Sequence, residues 1–158
     1  MSYYKFECPN DYLCHLNIDN VSEFNFNKQV KVCRVIDVYD GDTITVIFEH
    51  FGVFNKWKVR LLGINTPELR PSRSIENRDE IIEKAKQARD FLKSLIMNPN
   101  QLIYLECFDF DSFGRILGNV YLYFDYSNPS NNTNPINQEK IMVNKIMINQ
   151  GHSIEYNP

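Results

Sequence analysis

The stretch that decides the fold is Val30–Phe48, which reads Val-Lys-Val-Cys-Arg-Val-Ile-Asp-Val-Tyr-Asp-Gly-Asp-Thr-Ile-Thr-Val-Ile-Phe. It is rich in β-branched residues on both sides of Asp40-Gly41-Asp42, and Asp-Gly is a frequent sequence in tight turns. We therefore predict two antiparallel strands, Val30–Val38 and Thr43–Phe48, joined by a tight turn. A third strand, Trp57–Leu62, is predicted to continue the meander.

The pattern changes from strand to helix after the third strand. Apolar residues then recur every three or four positions, which predicts one amphipathic helix that ends at Asn98-Pro99-Asn100. Leu102–Phe108 and Ile116–Phe124 are predicted to be two further strands, and the Asn-, Ser- and Pro-rich segment Tyr126–Asn137 an exposed loop. A short helix is predicted from about Gln138 to Asn149. The apolar stripe of the first helix consists of Ile81, Ile82, Ala85, Ala88, Phe91, Leu92, Leu95 and Ile96.

Five strands with a helix between the third and fourth follow the order of a small oligonucleotide-binding (OB) barrel. We therefore predict an α+β fold: a five-stranded Greek-key OB-fold β-barrel with one main helix between strands 3 and 4 and a short C-terminal helix. Residues 29–158 are expected to form this single domain. Residues 1–28 show no sustained period and are expected to be an N-terminal extension whose aromatic rings pack on the domain or stay partly loose.

The composition excludes several classes of protein. Of the 158 residues, 43% are apolar and 23% charged, which is ordinary for a globular domain and excludes collagen-like, disordered and coiled-coil chains. The net charge of -3 means that any phosphate chemistry must depend on a few placed cations rather than on bulk charge. The start of the chain shows no secretory signal, and no apolar run is long enough to span a membrane, so we expect an intracellular protein.

The four cysteines are spread along the chain, which is typical of free thiols in a reducing compartment. The alternative is a metal site at Cys8, Cys14 and His15. It is disfavoured because no second close pair of ligands completes it.

Three short segments concentrate the residues that could carry chemistry: Asp40-Gly41-Asp42-Thr43, Arg60-Leu61-Leu62-Gly63-Ile64-Asn65-Thr66-Pro67-Glu68, and Asp111-Ser112-Phe113-Gly114-Arg115. Each has an ordinary structural interpretation as well, namely a hairpin turn, an outward strand residue followed by a solvated loop, and a second hairpin. Jointly they supply two arginines, several hard oxygen ligands and a free carboxylate, which is the set of groups needed for phosphodiester hydrolysis.

These segments resemble the staphylococcal nuclease (thermonuclease) family, as do Lys84–Leu92, Met142–Asn144 and Gln150-Gly151. The similarity runs in the same order from about Val30 to Tyr156. It implies a five-stranded barrel that hydrolyses DNA and RNA with Ca²⁺, breaks the bond to the 5′ oxygen and leaves 3′-phosphates. We expect single strands to be preferred and the protein to be a monomer.

The resemblance also implies roles for individual residues. Asp42 and Asn65 would bind the metal with their side chains and Thr66 with its backbone carbonyl, while Asp40 and Glu68 would lie in the outer shell. By the same resemblance, the catalytic residues would include Glu68, as general base or as positioner of the attacking water.

The other catalytic residues by this resemblance are Arg60 and Arg115, which would clamp the phosphate. The family usually has Asp at the position of Asn65, and the loss of a charged ligand predicts weaker Ca²⁺ binding here. Phe113 stands where the family often has Tyr, and no binding role is carried over to Tyr156. The alternative function is a catalytically inactive module of this family that binds single-stranded nucleic acid or a protein partner.

Overall fold

The computed structural model describes residues 15–98, 101–125 and 138–157. Three features of the sequence analysis lie outside these ranges: the candidate ligands Cys8 and Cys14, the proposed loop at 126–137, and Pro99 and Asn100 at the predicted end of the helix. The strands are β1 (Val30–Val38), β2 (Thr43–His50), β3 (Val53–Leu61), β4 (Ile64–Asn65), β5 (Ile103–Phe110), β6 (Ile116–Asp125), β7 (Gln138–Met142) and β8 (Ile154–Glu155). The helices are α1 (Arg78–Ile96) and α2 (Val143–Asn149), and a 3₁₀ turn spans Ile18–Asn20.

Five strands close into a barrel. Antiparallel pairing sets the order β3-β2-β1-β5-β6. The parallel pairing of Val59–Leu61 in β3 with residues 116–118 of β6 then joins the two ends. Because α1 lies between the third and fourth barrel strands in the chain, the predicted OB-fold barrel with one main helix and a short C-terminal helix is confirmed.

Helix α1 packs against the barrel with the stripe that its sequence predicted. Ala85, Ala88, Leu92 and Ile96 are completely buried, and the other face of the helix is exposed. Ala88 matters for the neighbouring turn, because its small side chain lets the helix approach Gly41 closely.

The segment before β1 contributes to the core through Phe26, which is fully buried and meets Phe48 and Trp57 edge to face. The backbone N–H of Lys28 donates to the carbonyl of Cys107 at 2.8 Å, so this segment is also tied to β5. The division of the chain at residue 29 remains a prediction.

The C-terminal helix is shorter than the sequence predicted. Gln138–Met142 forms strand β7, which pairs antiparallel with β6, and only Val143–Asn149 is helical. The residues of β7 are mostly good helix formers, but β6 offers them a row of backbone partners, and tertiary pairing overrides local propensity.

Asn144 in α2 fixes the end of the barrel next to the candidate site. Its Nδ2 donates to the carbonyl of Leu62 at 2.8 Å, and its Oδ1 accepts from the N–H of Val120 at 3.0 Å. The side chain is almost completely buried, so these bonds hold the chain that leaves β3 against β6. None of the helices in the described ranges combines the length and apolar character that a bilayer crossing requires.

Candidate active site

Asp42 is the most heavily bonded residue of the site. It follows Gly41 in the connection between β1 and β2 and is 5% exposed. Its Oδ2 accepts from the backbone N–H of Thr66 at 3.0 Å and from the Thr66 hydroxyl at 2.8 Å. Its Oδ1 accepts from the hydroxyl of Thr43 at 3.2 Å. A buried carboxylate with this many donors is held in one orientation.

The turn before Asp42 needs glycine for space rather than for backbone conformation. A Cβ atom at position 41 would lie 2.7 Å from Thr66 Cγ2 and 2.9 Å from Ala88 Cβ. Gly41 does not have a positive φ, and β1 and β2 are joined by the four residues Tyr39–Asp42. The expected tight Asp-Gly turn is therefore a longer connection that packs against α1.

Arg60 lies opposite Thr43 in the β2–β3 register, which brings its guanidinium to Asp42. Its Nη1 is 2.8 Å from Asp42 Oδ2, and its Nη2 donates to Asn65 Oδ1 at 3.1 Å. The Arg60 side chain is 15% exposed. The structure therefore places the Arg60 guanidinium against a fixed anion, the carboxylate of Asp42.

Asn65 belongs to β4, the short strand that pairs with β8. Asn65 lies opposite Ile154, and its neighbour Ile64 lies opposite Glu155. Ile64 is buried, so the alternating strand directs Asn65 outward toward Arg60.

Asp40 accepts a hydrogen bond from the backbone N–H of Asp42 at 3.1 Å. Burial, followed by the negative charge of Asp42, raises the pKa of Asp40 to about 6. Two carboxyl groups this close disfavour each other's ionisation, and a cation between them would relieve the repulsion.

Arg115 is held by its own hairpin. Asp111 Oδ2 accepts from Arg115 Nε at 2.6 Å, and Asp111 Oδ1 accepts from the backbone N–H groups of Phe113 and Arg115, each at 2.9 Å. Partial burial raises the pKa of Asp111, but the bonds from Arg115 and Phe113 outweigh it and hold the pKa below its usual value. Arg115 Nη1 also donates to the Thr43 hydroxyl at 3.3 Å, which links this hairpin to the turn of Asp42.

One open cavity of about 460 Å³ joins these groups. Glu68 lies on its wall, is exposed, and forms no hydrogen bond or ion pair with any described residue. All seven residues that the sequence singled out line this cavity: Asp40, Asp42, Arg60, Asn65, Thr66, Glu68 and Arg115. Their chemical roles remain predictions.

A second cavity of about 490 Å³ adjoins the first and shares Arg60 and Arg115 with it. Phe113 and Tyr156 lie on its wall, and Phe113 is 83% exposed, with the Arg115 guanidinium 5.4 Å from its ring centre. Tyr156 is tied to this place because its N–H donates to the carbonyl of Gly63 at 3.0 Å.

The donor atoms suit a hard cation such as Ca²⁺. Within residues 15–98, 101–125 and 138–157, no three His, Cys, Asp or Glu side chains form a cluster, so neutral oxygens would have to complete the ligand set. The oxygens of Asp42 and Asn65 both converge on a single positive group, the guanidinium of Arg60. Carboxylate and amide oxygens that already share one cation fit a calcium ion by their chemistry.

Sequence reasoning missed two residues of the site. Asp111 orients Arg115. Its position four residues before Arg115 in a turn-forming segment is the sequence feature that could have indicated this role. Lys58 lines the cavity. Its position two residues before Arg60 could have indicated this, because alternate side chains of a strand share a face.

A comparison with protein families matches residues 58–157 to a family described as "Staphylococcal nuclease homologue". A search of curated proteins found no match. The family match begins at Lys58, so Asp40 and Asp42 precede it, and the pairing of β2 with β3 brings them to the matched part. The match covers more than half of the chain and agrees with the barrel, and the chain therefore belongs to the staphylococcal nuclease family.

Proposed function

We propose that this protein is a Ca²⁺-dependent nuclease that hydrolyses the phosphodiester bonds of DNA and RNA. The observation that supports this most is the convergence on one open cavity of two arginines, a buried aspartate and a glutamate that has no partner among the described residues. Cations next to a carboxylate free to take a proton are what phosphodiester hydrolysis requires.

The two arginines would bind the phosphate that is cleaved. Arg60 and Arg115 reach the cavity from β3 and from the start of β6, and each is anchored by an aspartate. Guanidinium groups bind the non-bridging oxygens of a phosphate in pairs, and the attraction grows as negative charge accumulates in the transition state.

Glu68 would act on the attacking water. Its carboxylate has no partner among the described residues, so it is free to accept a proton from that water. The water oxygen forms a bond to phosphorus, the bond from phosphorus to the 5′ oxygen breaks, and the departing oxygen takes a proton from solvent. The products are a 3′-phosphate and a free 5′-hydroxyl.

Asp42, Asn65 and the backbone carbonyl of Thr66 would hold Ca²⁺, with Asp40 and Glu68 in the outer shell. When bound, the ion would supply a positive charge that stabilises the charge developing on the phosphate oxygens. Single strands are the favoured substrate in this proposal, because an unstacked base can lie against the exposed ring of Phe113. The protein would act as a monomer.

One observation favours the alternative of an inactive module that binds nucleic acid or a protein partner. Asp42 Oδ2 is already engaged by Arg60 and by two donors of Thr66, and Asn65 adds no charge with which to attract a metal. If Ca²⁺ does not compete for this oxygen, the barrel would bind strands without cleaving them.

The experiment is hydrolysis of a single-stranded DNA oligonucleotide with Ca²⁺ raised from micromolar to tens of millimolar, with EDTA as the control. We expect cleavage with 3′-phosphate ends and loss of about 10²-fold or more in turnover for Glu68→Gln. Glu76→Gln is the matched control, since Glu76 is also exposed but does not line the cavity. Strand binding without cleavage at any Ca²⁺ concentration would favour the inactive module.

A further inference from the structure

The outward face of β3 carries a row of side chains that the proposed chemistry does not use. Phe54, Lys56 and Lys58 alternate with residues of the opposite face, and Arg60 continues the same row. Phe54 is 73% exposed, and both lysines are exposed as well. We refer to Phe54, Lys56 and Lys58 as the β3 ridge.

The ridge carries two lysines and has one acidic neighbour across the β2–β3 ladder, Glu49, which lies opposite Phe54. Neither Lys56 nor Lys58 forms an ion pair with any described residue, whereas Lys84 and Lys86 on α1 are paired with glutamates. Across the β2–β3 ladder, Lys58 lies opposite Thr45, Lys56 opposite Ile47 and Phe54 opposite Glu49. In a chain of net charge -3, two neighbouring lysines that have no ion-pair partner among the described residues form a local cationic surface suited to a polyanion.

The ridge is continuous with the candidate active site. Lys58 lines the same cavity as Arg60, and it is the next residue on this face of the strand. Alternate residues of a strand are about 6.6 Å apart, so the row from Arg60 to Phe54 spans about 20 Å. A strand that leaves the cavity in this direction would pass Lys58, then Lys56, then Phe54.

Exposed aromatic rings stand at the far end of the ridge. The β2–β3 connection places Phe51, which is 87% exposed, a short distance along the chain from Phe54. Large rings exposed beside lysines are costly in water but suit single-stranded nucleic acid, whose phosphates contact cations and whose bases stack on rings.

We infer that the β3 ridge is a binding surface for the single-stranded nucleic acid that flanks the nucleotide in the cavity. Lys58 and Lys56 contact phosphates, and Phe54 stacks on a base. The inference rests on the proposed function for the identity of the ligand in the cavity, and it adds a direction for the strand along β3.

The first test compares binding of two fluorescent single-stranded DNA oligonucleotides, about 4 and about 12 nucleotides long, in EDTA so that no cleavage occurs. We expect the wild-type protein to bind the longer one more tightly. Lys56→Ala should lower the ratio of the two affinities, and the slope of log K against log salt for the longer one should fall by about 0.7. Lys86→Ala, which removes an exposed lysine of α1, should change neither quantity.

The second test separates stacking from simple contact with an apolar side chain. Phe54→Leu keeps an apolar side chain but removes the ring, so we expect it to weaken binding of the longer oligonucleotide at least about fivefold. Phe54→Tyr keeps the ring and should retain the affinity of the wild type.

The inference is overturned if the longer oligonucleotide binds no more tightly than the shorter one, or if Lys56→Ala and Phe54→Leu bind both as the wild type does. A protein that self-associates through this face without binding DNA would overturn it as well. If the wild type cleaves DNA in the Ca²⁺ hydrolysis assay but both variants keep the wild-type affinity ratio, the ridge is not a binding surface and the proposed nuclease function stands. If both variants lower the affinity ratio but the wild type does not cleave DNA in the Ca²⁺ hydrolysis assay, the ridge is a binding surface and the proposed nuclease function is wrong.

Discussion

The two turns that hold the arginines differ in where their anchoring groups come from. Arg115 is bonded to Asp111, four residues earlier in the same hairpin. Arg60 is bonded to Asp42, which lies in the connection before β2 and is itself fixed by Thr66 beyond the end of β3. One anchor is therefore local, and the other requires three separate segments of the chain to meet.

Local hydrogen bonds are therefore enough to orient Arg115, whereas the orientation of Arg60 depends on the assembled barrel. The hairpin of Arg115 carries its own hydrogen bonds, which join residues no more than four positions apart in the chain. The anchor of Arg60 exists only when β2 and β3 are in register and the chain after β3 has returned to Asp42. Changes at the Asp42 turn should therefore affect stability and activity together, whereas changes at the Asp111 hairpin should have smaller effects.

The largest effect is expected for Asp42→Asn. The partly buried Arg60 guanidinium would lose its charged partner, and Thr66 would lose a charged acceptor for two donors. We expect the free energy of unfolding to fall by about 3 kcal/mol and kcat/KM by about 10²-fold or more. Urea unfolding and oligonucleotide hydrolysis measure the two quantities. A stable variant with normal activity would contradict the coupling of structure and function at this turn.

The second prediction compares glycines in the two turns. Gly41→Ala places a methyl group against Thr66 and Ala88, so we expect a loss of about 2–3 kcal/mol in the free energy of unfolding. Gly114 has φ +74° with open space around it, so Gly114→Ala should cost about 1 kcal/mol through backbone strain alone. Urea unfolding of both variants checks this order, and equal losses would mean that the packing at Gly41 is loose.

The third prediction concerns the metal. Asn65→Asp adds a charged oxygen next to Asp42, and Ca²⁺ affinity rises with ligand charge, so the Ca²⁺ concentration at half saturation should fall about tenfold. The rise in Tm on titration with Ca²⁺ measures this without relying on activity. Asn27→Asp, an exposed change of the same charge away from the cavity, is the control. An unchanged midpoint would show that position 65 does not face the ion.

The smallest effect is expected for Asp111→Asn. The pKa of Asp111 is below its usual value in the folded protein, so its charge stabilises the fold above the ordinary Asp pKa of about 3.9, and this contribution disappears as the pH falls through the lower folded value. We expect the free energy of unfolding of the variant to be about 1 kcal/mol lower than that of the wild type at pH 7, and this difference should become smaller toward pH 3. Urea unfolding at several pH values measures it.

Activity should fall about fivefold in the same variant, because Arg115 loses its charged anchor. Asp109→Asn is the matched control, since Asp109 is exposed and, among the described residues, accepts only from the N–H of its neighbour Phe110. A larger loss for Asp109→Asn than for Asp111→Asn would contradict the assignment of Asp111 as the positioning residue.

The fold was predictable wherever one periodic pattern ran for many residues. The runs of β-branched residues predicted β1 and β2, and the three- and four-residue spacing in α1 predicted its buried face, because one face of a helix must enter the core. Prediction was wrong at Gln138–Met142, where a run of helix formers became β7. Such a short segment has weak local preference, and the free edge of β6 decided its conformation.

The amino-acid sequence by itself determined which groups are available: two arginines, the acids of the Asp40–Thr43 segment, Asn65 and Glu68, on a chain too acidic to bind phosphate by bulk charge. It also determined the strands and the helix that carry most of them. Only the tertiary structure decided that Arg60 bridges Asp42 and Asn65, that Gly41 is required for close packing, and that Lys58 lines the cavity while neither Lys58 nor Lys56 forms an ion pair with any described residue. These facts depend on strand register and on contacts between distant segments, which local preferences do not encode.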